Sequence, residues 1–363
     1  MGHARFAPSA MSRWSSCTAS ATIDVSRLYQ KPAGFAAEIG TALHEVSEAV
    51  LRGETTPSQA IRKKWNGLKV TREQVDTHVV PYVKHCKSIM DEADYVGIEE
   101  RSIITDEFWG TADFVAVVGT TLFVRDLKTG RAKVSPVDNL QLKTYATGVY
   151  NDLSMIHDIE LIDLGIVQPG INNIASVEVT PDVIEEHYEF ALDTIANIEK
   201  GKVTFVPSDS NCRFCPAAAL CPAMHERALD VSRSEFDLVS LAQKMELVPI
   251  LETFVSEVKE QTTQALADGQ RVEGWKLGKG RMTRSWNAEE EDLVEEFKAR
   301  RIPRRVYMDE KIRSVAQISK ELGDDADEKL QGLVATTEGK PSLIRNVGGR
   351  VDAVDEFSDA NEE

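Results

Sequence analysis

Two groups of residues in this chain have types and spacings that could do chemistry. The first is CRFCPAAALC, which places Cys212, Cys215 and Cys221 within ten residues, three of the chain's five cysteines. Thiols this close together, in a chain otherwise poor in cysteine, suit a metal, a cluster or a redox role better than a disulfide framework. A metal wants a fourth ligand. His225, four residues after Cys221, would supply one to a structural zinc ion, although the spacing is irregular for a zinc module.

The second group is a set of carboxylates around a lysine. Asp113 stands in GTADF, and Asp126 and Lys128 stand in RDLKTG. If both stretches are strands joined by a turn at Gly119–Thr120, Asp126 and Lys128 share one face. Asp113 and Asp126 then sit at equal height on neighbours, with side chains about 5 Å apart. Two carboxylates that close repel unless a cation lies between them, and Mg²⁺ would satisfy both. Lys128 could position or deprotonate an attacking water and neutralise charge in the transition state. Gln141 and Tyr145, four apart, share a helix face and could orient a catalytic group or a phosphate. His44 lies in the apolar and acidic stretch TALHEVSE, and an imidazole beside two carboxylates suits Mn²⁺ as well as Mg²⁺. Each residue also has a plainer reading: a solvated Asp–Lys pair on an edge strand, a half-buried Gln and Tyr, a structural histidine.

Elements must hold these residues in place. FAAEIGTALHEVSEAVLRG, residues 35–53, carries Leu43, Val46, Val50 and Leu51 at helical spacing, with Gly53 as its stop. A second helical stretch covers 71–94, with a kink expected at Pro81. The pattern then changes to short β-rich runs, YVGIEERSIIT, FWGTADFVAVVG and TLFVRDLKTG, the last two forming a hairpin. SPVDNLQLKTYATGVY, residues 135–150, reads as a helix with a Ser-Pro start. Two further strands, IDLGIVQP and IASVEVT, precede a helix over 181–200. This order predicts an α/β layer with a mixed central sheet flanked by helices. Residues 1–227 are expected to form that domain, closed by the cysteine segment. Residues 228–349 are expected to form a smaller α+β region, beginning with a helix over 235–268, and 350–363 an acidic, disordered tail.

Composition bounds the rest. The 363 residues are 42% hydrophobic and 28% charged, enough for a buried core. No run is long and apolar enough to span a bilayer, and the start lacks the apolar stretch of a secretory signal, so a cytoplasmic location is expected. There is no G-x-x-x-x-G-K-[ST] phosphate loop. The net charge of −17 argues against a surface coated in positive charge. Basic residues are instead local. WKLGKGRMTRSW offers Lys276, Lys279, Arg281 and Arg284 between Trp275 and Trp286; KARRIPRR offers Lys298, Arg300, Arg301, Arg304 and Arg305. Both could grip phosphates, with the tryptophans stacking on an unpaired base. Both could equally be solvated faces that balance nearby acids.

GTALHEVSE, GTADF, DLK and QLKTY, in that order, resemble the RecB-like branch of the PD-(D/E)XK nuclease superfamily. The resemblance implies a restriction-endonuclease-like core. It makes His44, Asp113, Asp126 and the Leu127 carbonyl ligands of Mg²⁺ or Mn²⁺, Lys128 the catalytic lysine, and Gln141 and Tyr145 an auxiliary pair. Two positions depart from the family pattern: Ala112 replaces the motif proline, and Asp126 is the shorter acid. A subset of this branch, which includes the AddB type and CRISPR-associated exonucleases, holds a [4Fe–4S] cluster on one upstream cysteine and three downstream ones spaced Cys-x2-Cys-x5-Cys. That implies Cys17, Cys212, Cys215 and Cys221 as cluster ligands, stapling the ends of the domain, with Cys86 left as a buried thiol. The start, FAPSAMSRWSSCTAS, and the stretch GWKLGKGRMTRSW also resemble phage and prophage proteins of unassigned function that carry this core. The implied activity is a phage-encoded, metal-dependent exonuclease acting on linear DNA ends in the host cytoplasm, in resection or turnover. By analogy it has a single-strand annealing protein as partner. The rival expectation is a catalytically silent protein that binds DNA ends on a zinc- or cluster-stapled fold.

Overall fold

The computed structural model of the chain describes residues 4–26, 28–29, 34–233, 238–278, 283–288, 290–308, 312–337 and 342–345. It divides into two compact units, Met1–Val255 and Ser256–Glu363, with the division inside one long helix.

The first unit is built on a five-stranded mixed sheet. Its elements are α1 (Met11–Ser16), α2 (Phe35–Leu51), α3 (Val80–Met90), β1 (Tyr95–Thr105), β2 (Phe108–Val118), β3 (Thr121–Leu127), α4 (Leu140–Leu153), β4 (Leu161–Gln168), β5 (Asn173–Val179), α5 (Pro181–Glu199), α6 (Pro222–Arg233) and α7 (Leu238–Ala267). The strands lie in sequence order, and only the β3–β4 pair is parallel. That follows from the connections. β2 and β3 are joined by a two-residue turn with Gly119 at φ 57°, whereas β3 reaches β4 by way of α4, the crossover that a parallel neighbour needs.

Apolar side chains sort the helices onto two faces. Leu43, Val46 and Val50 of α2 and Tyr82 and Val83 of α3 pack on Phe114, Ala116, Leu127 and Val167 of the sheet. Leu142, Tyr145, Ala146 and Val149 of α4 pack on the opposite face against Ala112, Val115, Val117, Leu122 and Val124. Gly148 lets α4 approach β1 closely, since a Cβ there would come within 2.8 Å of the Ile103 amide nitrogen. Beyond β2, Phe6, Met11 and Trp14 of the N-terminal segment close over Phe108 and over Ala191, Ile195 and Ile198 of α5.

Two helices differ from the sequence expectation. Residues 135–139 are not the first turn of α4. Asp138 adopts a left-handed φ of 52°, and Asn139 caps the helix by accepting the Leu142 amide at 3.1 Å. The Ser-Pro pair therefore makes a turn before the helix, which starts at Leu140. The helical stretch through 72–90 is continuous, with a wide π-type turn over Val75–Val79 placed just before Pro81. Proline has no N–H to give, and the wider turn accommodates it without ending the helix.

The second unit contains β6 (Trp275–Gly278), β7 (Thr283–Trp286), α8 (Glu290–Ala299), α9 (Val315–Leu322), β8 (Val334–Thr337) and β9 (Ser342–Arg345). β6 pairs with β9 and β7 with β8, both antiparallel. Leu293, Phe297, Ile302, Val306, Tyr307 and Ile318 form its core. Lys279 and Arg281 lie outside the described residues, as does the acidic tail over 350–363. Among the described residues, no helix is long and apolar enough to cross a membrane.

Candidate metal centre

The centre lies where the regular alternation of two strands breaks. Ala112 packs on the α4 side of the sheet and Phe114 on the α2 side, although residues two apart on a strand should share a face. Across from them, Ile98 packs on the α2 side while Ser102 bonds the Thr144 carbonyl of α4. Both strands change face at one level, at Asp113 on β2 and Glu99 on β1. Ile98 pairs with Phe114 and Glu100 with Ala112, but the Glu99–Asp113 pair between them is missing. Glu99 takes φ 51°, a left-handed conformation that a non-glycine residue adopts only at a cost of about 1–3 kcal/mol. Irregularities of this kind re-aim side chains. Here the result is that His44, Glu99 and Asp113 bring ligand atoms within 4.8 Å of one another.

Each side chain is held. His44 Nδ1 lies 3.1 Å from Asp113 Oδ1. Asp113 Oδ2 accepts the Leu127 amide at 2.6 Å. The carboxylate thus continues the β2–β3 ladder beyond Phe114–Arg125, the last paired residues on that side. Lys128 Nζ lies 2.7 Å from Asp126 Oδ2 and donates to Gln141 Oε1 at 3.0 Å. Gln141 Nε2 donates to Tyr145 Oη at 2.8 Å and approaches Asp126 Oδ1 at 3.4 Å. One face of α4 therefore bridges the lysine and the acid, as the i, i+4 spacing predicts.

The electrostatics are those of a site short of positive charge. Asp126 is 3% exposed. Burial pushes its carboxyl up, Lys128 draws it down, and Asp113 pushes it up again. Burial and the Asp113 charge raise Glu99 to about 7. Burial alone would lower His44, but the Asp113, Asp126 and Glu99 carboxylates outweigh it and raise the imidazole to about 9. Burial also raises the Tyr145 phenol, so it stays a neutral hydroxyl. Three crowded carboxylates whose neighbours stay protonated are the surroundings that a divalent cation relieves.

Behind the centre, Arg125 fixes β3 to β4. Its guanidinium is 4% exposed; it donates to Asp163 Oδ2 at 2.7 Å, to the Asp163 carbonyl at 2.8 Å and to His85 Nε2 at 3.1 Å. The register partner of Arg125 is Gly165, where a Cβ would meet Arg125 Cδ at 2.7 Å. Glycine there makes room for the buried arginine one residue before Asp126.

All the residues singled out by spacing meet here: His44, Asp113, Asp126, Lys128, Gln141 and Tyr145, with Leu127 buried between the strands. The carboxylates fall into two groups. Glu99 joins His44 and Asp113, while Asp126 is engaged by Lys128 and Gln141. Glu99 was invisible in the sequence, one of two adjacent glutamates in a β-rich run. Its signal was the register of β1 on β2, which sets it opposite Asp113.

The cysteines gather elsewhere in the same unit. Cys17, Cys212, Cys215 and Cys221 line one narrow cavity with Asn211, Phe205 and Met224. The Val206 amide donates to Cys17 Sγ at 3.4 Å, and Asn211 Nδ2 reaches Ser16 Oγ at 3.1 Å. Arg13 Nη1 donates to the Phe214 carbonyl at 2.7 Å. These contacts tie the start of the unit to residues about 190 positions later. Burial, with the neighbouring cysteines adding to it, raises the Cys212 thiol to about 11. His225 is exposed, its ring T-shaped to Phe254, and is not among the lining residues. Cys86 is a buried thiol of the main core, pushed up by burial to about 12.

Residues 3–350 match the model of a family described as "Protein of unknown function (DUF2800)". The chain belongs to that family. A solved structure titled "Crystal structure of SSO0001" is similar at 19% identity and a TM-score of 0.25, over 40% of this chain. The match spans 66% of that protein's length, just under two thirds, and a TM-score this low says nothing about the fold.

Proposed function

We propose that this member of DUF2800 is a metal-dependent deoxyribonuclease of the RecB-like PD-(D/E)XK kind, acting on linear DNA ends. The observation that carries the reading is the meeting of His44, Glu99 and Asp113 within 4.8 Å, beside an Asp126–Lys128 pair at 2.7 Å. These residues come from α2, β1, β2 and the end of β3, and a merely structural ion pair has no use for two more half-buried acids beside it. The donor set, one imidazole and carboxylates, suits Mg²⁺ or Mn²⁺. Such a cation would supply Lewis acidity at the scissile phosphate.

The chain's own groups do the rest. Lys128, held by Asp126 and Gln141, presents a cation that orients the attacking water and offsets charge developing on phosphorus. Tyr145 and Gln141 keep that ammonium from swinging away. Water adds to phosphorus as the P–O3′ bond breaks, leaving a 5′-phosphate and a 3′-hydroxyl.

The cysteine cavity supports a [4Fe–4S] staple held by Cys17, Cys212, Cys215 and Cys221. All four cysteines line one cavity, and the remote Cys17 is included where the nearby His225 is not. A zinc site made of the three clustered cysteines and His225 would need the reverse. The cluster would hold the fold and take no part in hydrolysis. Phage origin, a role in resection and an annealing partner are carried by the family resemblance alone.

The test is cleavage of end-labelled linear DNA, single- and double-stranded, with Mg²⁺ or Mn²⁺, beside covalently closed circles and the Lys128→Ala protein. Degraded linear DNA, intact circles and an inactive variant are expected. Metal-loaded protein that binds DNA but never cuts it would overturn the reading in favour of an end-binding protein.

A further inference from the structure

Unit 2 carries a surface that the proposed centre does not use. KARRIPRR, residues 298–305, has five cations and no acid, in a chain of net charge −17. It forms the turn from the end of α8 into the short helix Arg304–Tyr307. The five cations have different work. Arg300 is structural: it bonds Glu296 Oε2 at 3.0 Å and the carbonyls of Lys329 and Gln331 at 3.1 and 2.6 Å. Lys298 lies in the last turn of α8, where a cation complements the helix dipole.

Neither reason covers Arg301, Arg304 and Arg305. All three are exposed, and among the described residues none makes a side-chain hydrogen bond or ion pair. Arg301 has φ 56°, at a position after a helix where glycine is the usual residue, and an L side chain there costs about 1–2 kcal/mol. Arg304 and Arg305 lie in the single-turn helix Arg304–Tyr307, too short for its dipole to favour or disfavour a cation at either end. Ile302, Val306 and Tyr307 are buried in the core of unit 2, so the turn that carries the three guanidinium groups is anchored. Five residues of chain span at most about 14 Å between the outer two, a length over which one DNA strand presents about four phosphates.

We infer that Arg301, Arg304 and Arg305 form a contact surface for the DNA phosphate backbone. The inference rests on the nucleic-acid half of the proposed function and not on cleavage. Guanidinium pairs with phosphate oxygens in a fixed fork, and a contact confined to phosphates reads no sequence. Binding through it is salt-dependent.

The experiment measures fluorescence anisotropy of labelled duplex and single-stranded oligonucleotides across a salt series. It uses the full chain carrying Lys128→Ala, without divalent metal, with and without Arg301→Ala, Arg304→Ala and Arg305→Ala together. The triple change should weaken binding about tenfold or more and lower the slope of log Kd on log salt by about 2–3 for duplex. Arg301→Gly alone, which also relieves the backbone, should raise the melting temperature and lower the slope by about 1. The inference fails if the triple variant keeps the parent's affinity and slope, if Lys84→Ala with Lys87→Ala lowers the slope as much, or if polyglutamate competes as well as DNA of equal charge. Wild-type cleavage, scored separately, decides the nuclease reading. A cutting enzyme whose triple variant binds unchanged removes only this inference; salt-dependent binding lost in the triple variant, with no cutting by wild type, removes only the other.

Discussion

The carboxylate centre and the cysteine cavity both gather residues from distant parts of the chain, but by different means. The centre draws on α2, β1, β2, β3 and α4, and each contribution depends on sheet register or helix phase. The cavity takes three of its four cysteines from one loop of ten residues and only Cys17 from far away. A site built on strands gains precision from the ladder around it, as when the Asp113 carboxylate accepts the Leu127 amide. A site built on a loop leaves the chain free to diverge until something clamps it. The first should therefore fail by losing chemistry in a folded protein, and the second by losing fold.

The sharpest way to test that contrast is Lys128→Ala. On the proposed reading, cleavage should fall about a hundred- to ten-thousand-fold, while circular dichroism still reports a folded protein and the cysteine cavity keeps whatever iron the wild type holds. Arg125→Ala should cost about 3–5 kcal/mol in urea unfolding, because it strands the buried Asp163 carboxylate. It should depress Mn²⁺ binding at the centre before it depresses iron content; the opposite order would undo the claim that β3 register carries the centre.

His187 tests the seam between the regions. Its Nε2 lies 3.0 Å from Thr144 Oγ1 on α4, and the same hydroxyl touches Met11 Sδ of α1 at 3.1 Å. Burial, helped by Lys143, lowers the imidazole to about 4. The folded protein thus prefers it neutral, while the unfolded chain takes up a proton below about 6.5. Its contribution is present above that pH and is lost as pH falls toward 4, by up to about 3 kcal/mol. His187→Gln should flatten the pH dependence of the urea midpoint over that interval. The smallest effect is expected from Glu99→Gly. It relieves the left-handed backbone and one half-buried carboxylate, so it should stabilise by about 1 kcal/mol while weakening Mn²⁺ binding. If it destabilises and leaves Mn²⁺ affinity unchanged, Glu99 is not part of the centre.

Much of this was legible in the residues alone. The strand limits around Asp113 and Asp126 followed from β-rich runs and the Gly119 turn, and with them the shared level of the two acids. Gln141 and Tyr145 followed from helical spacing. The start of α4 did not, because Ser135-Pro136 resembles a helix start as closely as it does a turn, and only the Asn139 cap decides between them. The buried Arg125–Asp163 pair was equally hidden, since a charged residue inside a strand gives no sign of which partner compensates it.

What the sequence determined by itself is what local periodicity encodes: which segments are helix or strand, and which residues share a face. Those signals are set within a few residues and survive without knowledge of neighbours. What only the tertiary structure decided is the pairing of β1 on β2, the inversion of both strands at Glu99 and Asp113, and the arrival of Glu99 beside His44 and Asp113. These depend on which surfaces find each other once apolar area is buried, and no local pattern records that choice.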